Sequence, residues 1–203
     1  GGIYDGHELP KDINAMTTRS ATALAGQGLM GVGKDTYKRD GTTRSFSAAF
    51  AEVEVDIETG KYTVTEFLSV ADVGIVIHPT ALGGQVLGRS NLGIAHAIGH
   101  RWIYDQRYGV GLARRFYNNS PPTILDIPLN SAWDSVGLPD PETPVGARGI
   151  GEPPVAAACT SVLNAISDAL GDEVFVRSPV LLDHIVKALD TKRPGQFPLT
   201  ANV

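Results

Sequence analysis

The stretch that decides the fold runs Phe46-Ser47-Ala48-Ala49-Phe50-Ala51-Glu52-Val53-Glu54-Val55-Asp56-Ile57, then Glu58-Thr59-Gly60-Lys61, then Tyr62-Thr63-Val64-Thr65-Glu66-Phe67-Leu68. Val53, Val55 and Ile57 alternate with Glu52, Glu54 and Asp56, the period of two that marks a half-buried strand. Glu58 to Lys61 supply turn chemistry. Tyr62, Val64 and Phe67-Leu68 resume the strand character, so residues 46–72 are expected to form an antiparallel hairpin.

Toward the C-terminus, Ile75-Val76-Ile77 reads as a short buried run ended by His78-Pro79. Leu82, Val86, Ile94, Ile98 and Trp102 then recur largely at helical spacing and predict a long helix within 80–104. The segment 107–147 is rich in Pro, Asn, Ser and Gly without a stable period, and is expected to be ordered loop and short strands. Pro153-Pro154 open a helix with Val155, Cys159, Val162, Ile166 and Leu170 on one face and Gly171 as its stop. Ser178-Pro179 begin a last amphipathic helix, N-capped, over 178–190. Toward the N-terminus, residues 12–26 permit a short helix that the Gly-rich stretch 26–33 breaks. The expected class is α+β, an antiparallel sheet packed with long helices in one domain over 1–203, with no internal boundary.

Composition narrows the function. A chain of 203 residues with 42% hydrophobic and 19% charged residues can bury a core and is not a disordered chain. A net charge of −5 gives no basic footprint for nucleic acid. No apolar run approaches the roughly 18 residues that span a bilayer, and the N-terminus lacks a signal-peptide layout. The expected location is the cytoplasm, with the periplasm as the alternative. One cysteine, Cys159, can neither form an internal disulfide nor supply the four thiolates of an iron–sulfur cluster.

Several strings dissolve on inspection. Gly26-Gln27-Gly28-Leu29-Met30-Gly31 has the spacing of a dinucleotide loop but does not follow a strand, and in Gly33-Lys34-Asp35 an Asp stands where a phosphate loop needs Ser or Thr. His96 and His100 share a helix face, but no third ligand is evident, so no metal site of the chain's own is expected. Glu52, Glu54 and Asp56, and the pair Asp168 and Asp172, read as solvated surface. Cys159, between Val155 and Val162, reads as a small core residue.

Gly146-Ala147-Arg148-Gly149-Ile150-Gly151-Glu152-Pro153-Pro154 resists that treatment. Three glycines allow close backbone approach and lead into a helix N-terminus. Glu152 stands at its mouth, where burial would strengthen its hold on a proton and the helix end would weaken it. A general base fits these residues, and so does a plain capping Glu.

This stretch resembles the C-terminal signature of the molybdenum hydroxylases, the xanthine dehydrogenase and aldehyde oxidase group. Phe50 to Asp56 with Glu58-Thr59-Gly60, Asp72-Val73-Gly74 with His78-Pro79, Gly84-Gln85-Val86 with Gly93, and Leu125-Asp126-Ile127-Pro128 resemble further segments of that family in order. The resemblance implies the C-terminal part of a molybdopterin-binding domain, and hydroxylation of an aldehyde or N-heterocycle with water-derived oxygen. It implies Glu152 as the general base, and Gly149, Ile150, Gly151 and Arg148 near the molybdenum–pterin cofactor, Arg148 in place of a more usual Lys. It also implies a cofactor shared with a companion chain, the remainder of the molybdopterin subunit, because the family's upstream glycine-rich loops are missing here. Iron–sulfur and FAD would lie on partner subunits. Leu92, where many members carry Gln, and His96, His100 and Arg101 depart from the pattern. Leu92 leaves room for a noncatalytic assembly subunit, the other three suggest an unusual subgroup, and a stand-alone hydrolase using Glu152 is a weaker rival.

Overall fold

The computed structural model describes residues 3–4, 7–8, 40–171, 175 and 177–192. The chain divides into two compact units, Gly1–Lys38 and Arg39–Val203. In the first, β1 (Ile3–Tyr4) pairs antiparallel with β2 (His7–Glu8). The helix expected over 12–26 and the Gly-rich strings at 26–35 lie outside the described residues.

The second unit is built on the expected hairpin. β3 (Phe46–Val55) pairs antiparallel with β4 (Tyr62–Asp72), Phe46 opposite Asp72 and Val55 opposite Tyr62. Asp56 organises the reversal: its carboxylate accepts from the N–H groups of Glu58 (2.9 Å) and Thr59 (3.2 Å) and from the Thr59 hydroxyl (2.8 Å). Those bonds, the Thr59 hydroxyl first, lower its pKa. Gly60 closes the turn at φ +72°, a conformation that favours glycine, and an added Cβ would meet the Leu182 carbonyl at 2.4 Å. The register slips between Glu52 and Val53, which face Glu66 and Val64, leaving Thr65 as the extra residue of a bulge.

A third strand, β5 (Asn130–Val136), lies parallel to β4 and gives the order β3-β4-β5. The sequence placed it only as part of a loop-rich segment, because a parallel partner far away in the chain leaves no local turn signal. Trp133 of β5 fixes the strand against the helix layer, where Gly83 leaves room for its ring.

Among the described residues two helices pack on one face of this sheet and a third lies against its hairpin turn. α1 (Pro79–Ile98) starts with His78 as N-cap, whose Nδ1 accepts from the Ala81 N–H at 3.1 Å. It ends at Gly99, so Trp102 is not a helix residue but stands 77% exposed beyond it. α2 (Pro153–Ala169) follows the predicted apolar face, with Ala158, Val162 and Ile166 fully buried. α3 (Leu182–Thr191) is N-capped at Leu181 rather than Ser178, and the Ser178-Pro179 peptide is cis. The expected buried run at 75–77 is also corrected: Ile75 and Ile77 are exposed, because the chain leaves the sheet at Gly74.

Val64, Phe67, Ile94, Val162, Ile166 and Ile185 form the main core between sheet and helices. Each such side chain contributes about 1.5–3 kcal/mol of transfer free energy. The Tyr62 hydroxyl lies 3.1 Å from both the Ala97 and Val180 carbonyl oxygens, tying β4 to the end of α1 and to the start of the last helical segment. The architecture is α+β, as the hairpin and helix periods predicted. Among the described residues no helix is long and apolar enough to cross a membrane.

Candidate functional site

The turn from Gly146 to Glu152 is welded to the end of β4. Gly74 and Ala147 form an isolated bridge, Ile75 donates to the Gly146 carbonyl at 2.9 Å, and Arg148 donates to the Val73 carbonyl at 2.7 Å. The Arg148 side chain reinforces this joint. Its Nε donates to Asp140 at 2.8 Å and its Nη1 to Asp72. Asp140 is only 4% exposed, and Arg148 holds its carboxyl below the usual carboxylate range, helped by the Glu142 N–H. The same two carboxylates raise the Arg148 pKa. Its charge is therefore occupied within the chain, and only the remaining guanidinium N–H donors are left for a ligand.

Two side chains then hold the glycines. The Ser45 hydroxyl donates to the Gly149 carbonyl, and the Gln85 amide donates to the Gly151 carbonyl at 3.0 Å. In a trans peptide the N–H points opposite to the C=O. Anchoring those two carbonyls therefore turns the N–H groups of Ile150 and Glu152 the other way. Among the described residues, none of the N–H groups of Gly149, Ile150, Gly151 and Glu152 has a hydrogen-bond acceptor. A Cβ added at Gly149 or Gly151 would meet nothing within 4 Å, so the backbone itself forms the surface there.

Glu152 is the N-cap residue of α2, but its side chain makes no capping hydrogen bond, which removes the plain capping reading. Pro153 and Pro154 occupy the first helical positions and carry no N–H. The expected donation by this helix end is thus reduced, and the free donors belong to the preceding turn. The Glu152 side chain is exposed, so this chain does not itself supply the expected burial.

Beside the turn lies a cleft of about 320 Å³. Val73, Val76, Leu82 and Ile150 give it an apolar lining, and His78, Gln85 and Arg148 give it polar groups. Gln85 is the residue that sequence reasoning undervalued. It was visible within Gly84-Gln85-Val86, but its contact with Gly151 joins residues 66 apart.

The remaining candidates lie elsewhere. His96 and His100 stack edge to face with centroids 5.3 Å apart, and burial, then the neighbouring imidazole, lowers the His100 pKa. Among the described residues no group of three or more His, Cys, Asp or Glu side chains could hold a metal ion. Cys159 is half-buried on α2, and burial raises its thiol pKa. Leu92 is 37% exposed on α1. Asp168, Glu52 and Glu54 are exposed, whereas Asp172 lies outside the described residues.

The sequence model of the molybdopterin cofactor-binding domain matches residues 9–128, ending short of the Glu152 turn. A xanthine dehydrogenase molybdenum-binding subunit of Escherichia coli O157:H7 is 32% identical over 128 residues, 63% of this chain and 17% of that protein. The carbon monoxide dehydrogenase large chain of Afipia carboxidovorans is 32% identical over 135 residues, 66% of this chain and 16% of that protein. Among solved structures, reconstituted CO dehydrogenase from Oligotropha carboxidovorans superposes with TM-score 0.65 at 28% identity, over 72% of this chain and 18% of that one. The aldehyde oxidoreductase of Desulfovibrio gigas gives TM-score 0.61 at 30% identity, over 69% and 15%. The chain thus spans less than a fifth of the length of each of these relatives. With its fold shared and well over half of its residues matched, the chain belongs to the molybdopterin cofactor-binding domain family of the xanthine dehydrogenase and aldehyde oxidoreductase group.

Proposed function

We propose that the chain is part of a molybdenum-cofactor oxidoreductase that hydroxylates an aldehyde or an N-heterocycle with water-derived oxygen, with Glu152 as general base. The observation that carries this reading is the Gly149–Glu152 turn, with the Gly149 and Gly151 carbonyls anchored by Ser45 and Gln85 and its four N–H groups without an acceptor among the described residues. Such a surface fits a group rich in acceptor atoms, as a molybdenum–pterin cofactor is. Gly149, Ile150 and Gly151 would hold it through their N–H groups, with Arg148 contributing a remaining guanidinium donor. When bound, the cofactor supplies the two-electron oxidation of the substrate carbon.

The chain's own task is proton transfer. The Glu152 carboxylate, free of a capping bond, is available to take a proton from the oxygen nucleophile at one Oε. A positioned base of this kind contributes roughly 10²- to 10⁴-fold in rate. The cleft that Ile150 lines, next to the turn, seats a small molecule oriented by the Gln85 amide and Arg148.

Companion polypeptides complete the site. The remainder of the molybdopterin subunit covers Glu152 and supplies the rest of the cofactor's contacts. Iron–sulfur and flavin subunits carry the electrons away, since a single Cys holds no cluster. Residence in the cytoplasm is part of the same reading, with the periplasm as its alternative. The exposed Glu152 together with Leu92 favours a second reading, a noncatalytic assembly subunit. The molybdenum content and subunit masses of the complex purified through this chain test the reading. A molybdenum-loaded complex that reduces a dye with aldehydes or N-heterocycles is expected, and a metal-free complex would overturn it.

A further inference from the structure

The helices lie on one face of the β3-β4-β5 sheet, and among the described residues no element packs on the other. Residues directly opposite each other point to the same side. On that other face Phe50, Leu68 and Ala132 form one row across the three strands, and Phe46, Asp72 and Val136 form another. Phe46 and Phe50 are 64% and 63% exposed, and Leu129, just before β5, is 99% exposed. Scattered exposed apolar residues are ordinary, but a contiguous patch marks an interface.

The next row carries charge. Glu52 and Glu66 lie opposite each other, a like-charge pairing that disfavours the sheet. Among the described residues neither forms a salt bridge, the ion pairs there being those of Arg148 with Asp72 and Asp140. Both line a groove of about 610 Å³ together with Phe50, Leu68 and Leu129. A groove that sets Phe50, Leu68 and Leu129 beside two carboxylates with no salt bridge among the described residues calls for a segment bearing apolar side chains and one cation. A second copy of this chain does not bring it, because the strand residues of this face include only acidic charges, and a two-fold contact would set them against each other. The CO dehydrogenase large chain continues far beyond the 16% that this chain matches, so a covering layer is available in proteins of this family.

We propose that the outer face of the β3-β4-β5 sheet is where the rest of the molybdenum-binding subunit docks, through a segment that bears apolar side chains and sets an arginine or lysine between Glu52 and Glu66. This rests on the functional reading above for the identity of the partner and goes beyond it in naming the surface.

The test is photo-crosslinking in the intact complex, with p-benzoylphenylalanine incorporated at exposed Phe50 and, as control, at exposed Thr160 on α2. The expected result is a crosslink from Phe50 to a molybdopterin-binding polypeptide, beside a Lys or Arg, and none of comparable yield from Thr160. Glu52→Gln combined with Glu66→Gln should weaken association about tenfold and flatten its salt dependence. The same pair should leave the chain's own melting temperature unchanged or higher, because it removes a repulsion. Crosslinks to a second copy, to residues 1–38 of the same chain or to an iron–sulfur or flavin polypeptide would overturn the proposal. So would the absence of any crosslink from Phe50, or association that ignores the paired substitution. A molybdenum-loaded complex without the Phe50 crosslink defeats this surface alone, whereas a complex lacking molybdenum defeats the functional reading.

Discussion

Helices α1 and α2 touch at Gly93, and replacing that glycine by alanine should be felt in both stability and site geometry. An added Cβ there would lie 2.3 Å from the Val155 carbonyl oxygen and 2.6 Å from the Ala158 Cβ. Ordinary carbon–oxygen contacts begin near ~3.3 Å, so the helices must part by about 1 Å. The obstacle is backbone and a fully buried alanine, neither of which can rotate away. Overpacking of this kind costs about 1–3 kcal/mol. Gly88 on the same helix is the matched control, since nothing lies within 4 Å of its added Cβ. Alanine at Gly88 should stabilise by about 0.5–1 kcal/mol through helix propensity alone. For a domain of this size each kcal/mol moves the melting temperature by about 2–4 °C. Thermal melts by far-UV circular dichroism should show Gly93→Ala several degrees below the parent chain and Gly88→Ala slightly above it. Equal shifts in the two variants, or a neutral Gly93→Ala, would refute the close-packing argument.

Other expectations follow from single contacts. Tyr62→Phe removes the hydroxyl that meets Val180 and Ala97, and should cost about 1–2 kcal/mol in urea unfolding. In the parent, burial and then Cys159 push the Tyr62 pKa up, so an ultraviolet titration should show this phenol ionising only above the ordinary tyrosine range. Asp140, with its pKa lowered by Arg148, contributes stability that is present above the unfolded carboxylate pKa of about 4 and is lost as pH falls through the folded value. Asp140→Asn should therefore lower the midpoint at neutral pH and flatten its decline toward pH ~2, as measured by melts across that range. Burial raises the Cys159 thiol pKa, so alkylation by iodoacetamide at pH ~7.5 should lag behind that of a free thiol and accelerate on unfolding.

The hairpin was legible because its signals are local. Alternation at 52–55 and the Asp56-to-Gly60 reversal act within a few residues, and strands formed there, whereas Ile57, expected in the alternation, lies in the turn and is exposed because the strand ends at Val55. α2 was legible for the same reason, through four-and-three spacing between Pro153 and a glycine stop. Long-range pairings were not legible. β5 is a strand only because β4 lies beside it, and Ile75 and Ile77, apolar but outside the sheet, imitate a buried run. The end of α1 was overrun because Trp102 keeps the helical period past Gly99, where the helix in fact stops. At the site, Glu152 and its glycines stood out by composition. The carboxylates that engage Arg148 and the side chains that anchor Gly149 and Gly151 come from distant segments, and only the folded chain reveals them.

The direct measurement of the role of Glu152 is turnover by the Glu152→Gln complex at equal molybdenum content. Glutamine keeps the shape and cannot take the proton. Turnover should fall by about 10²-fold or more while metal loading and subunit composition stay unchanged. Retained turnover at full metal loading would contradict that role.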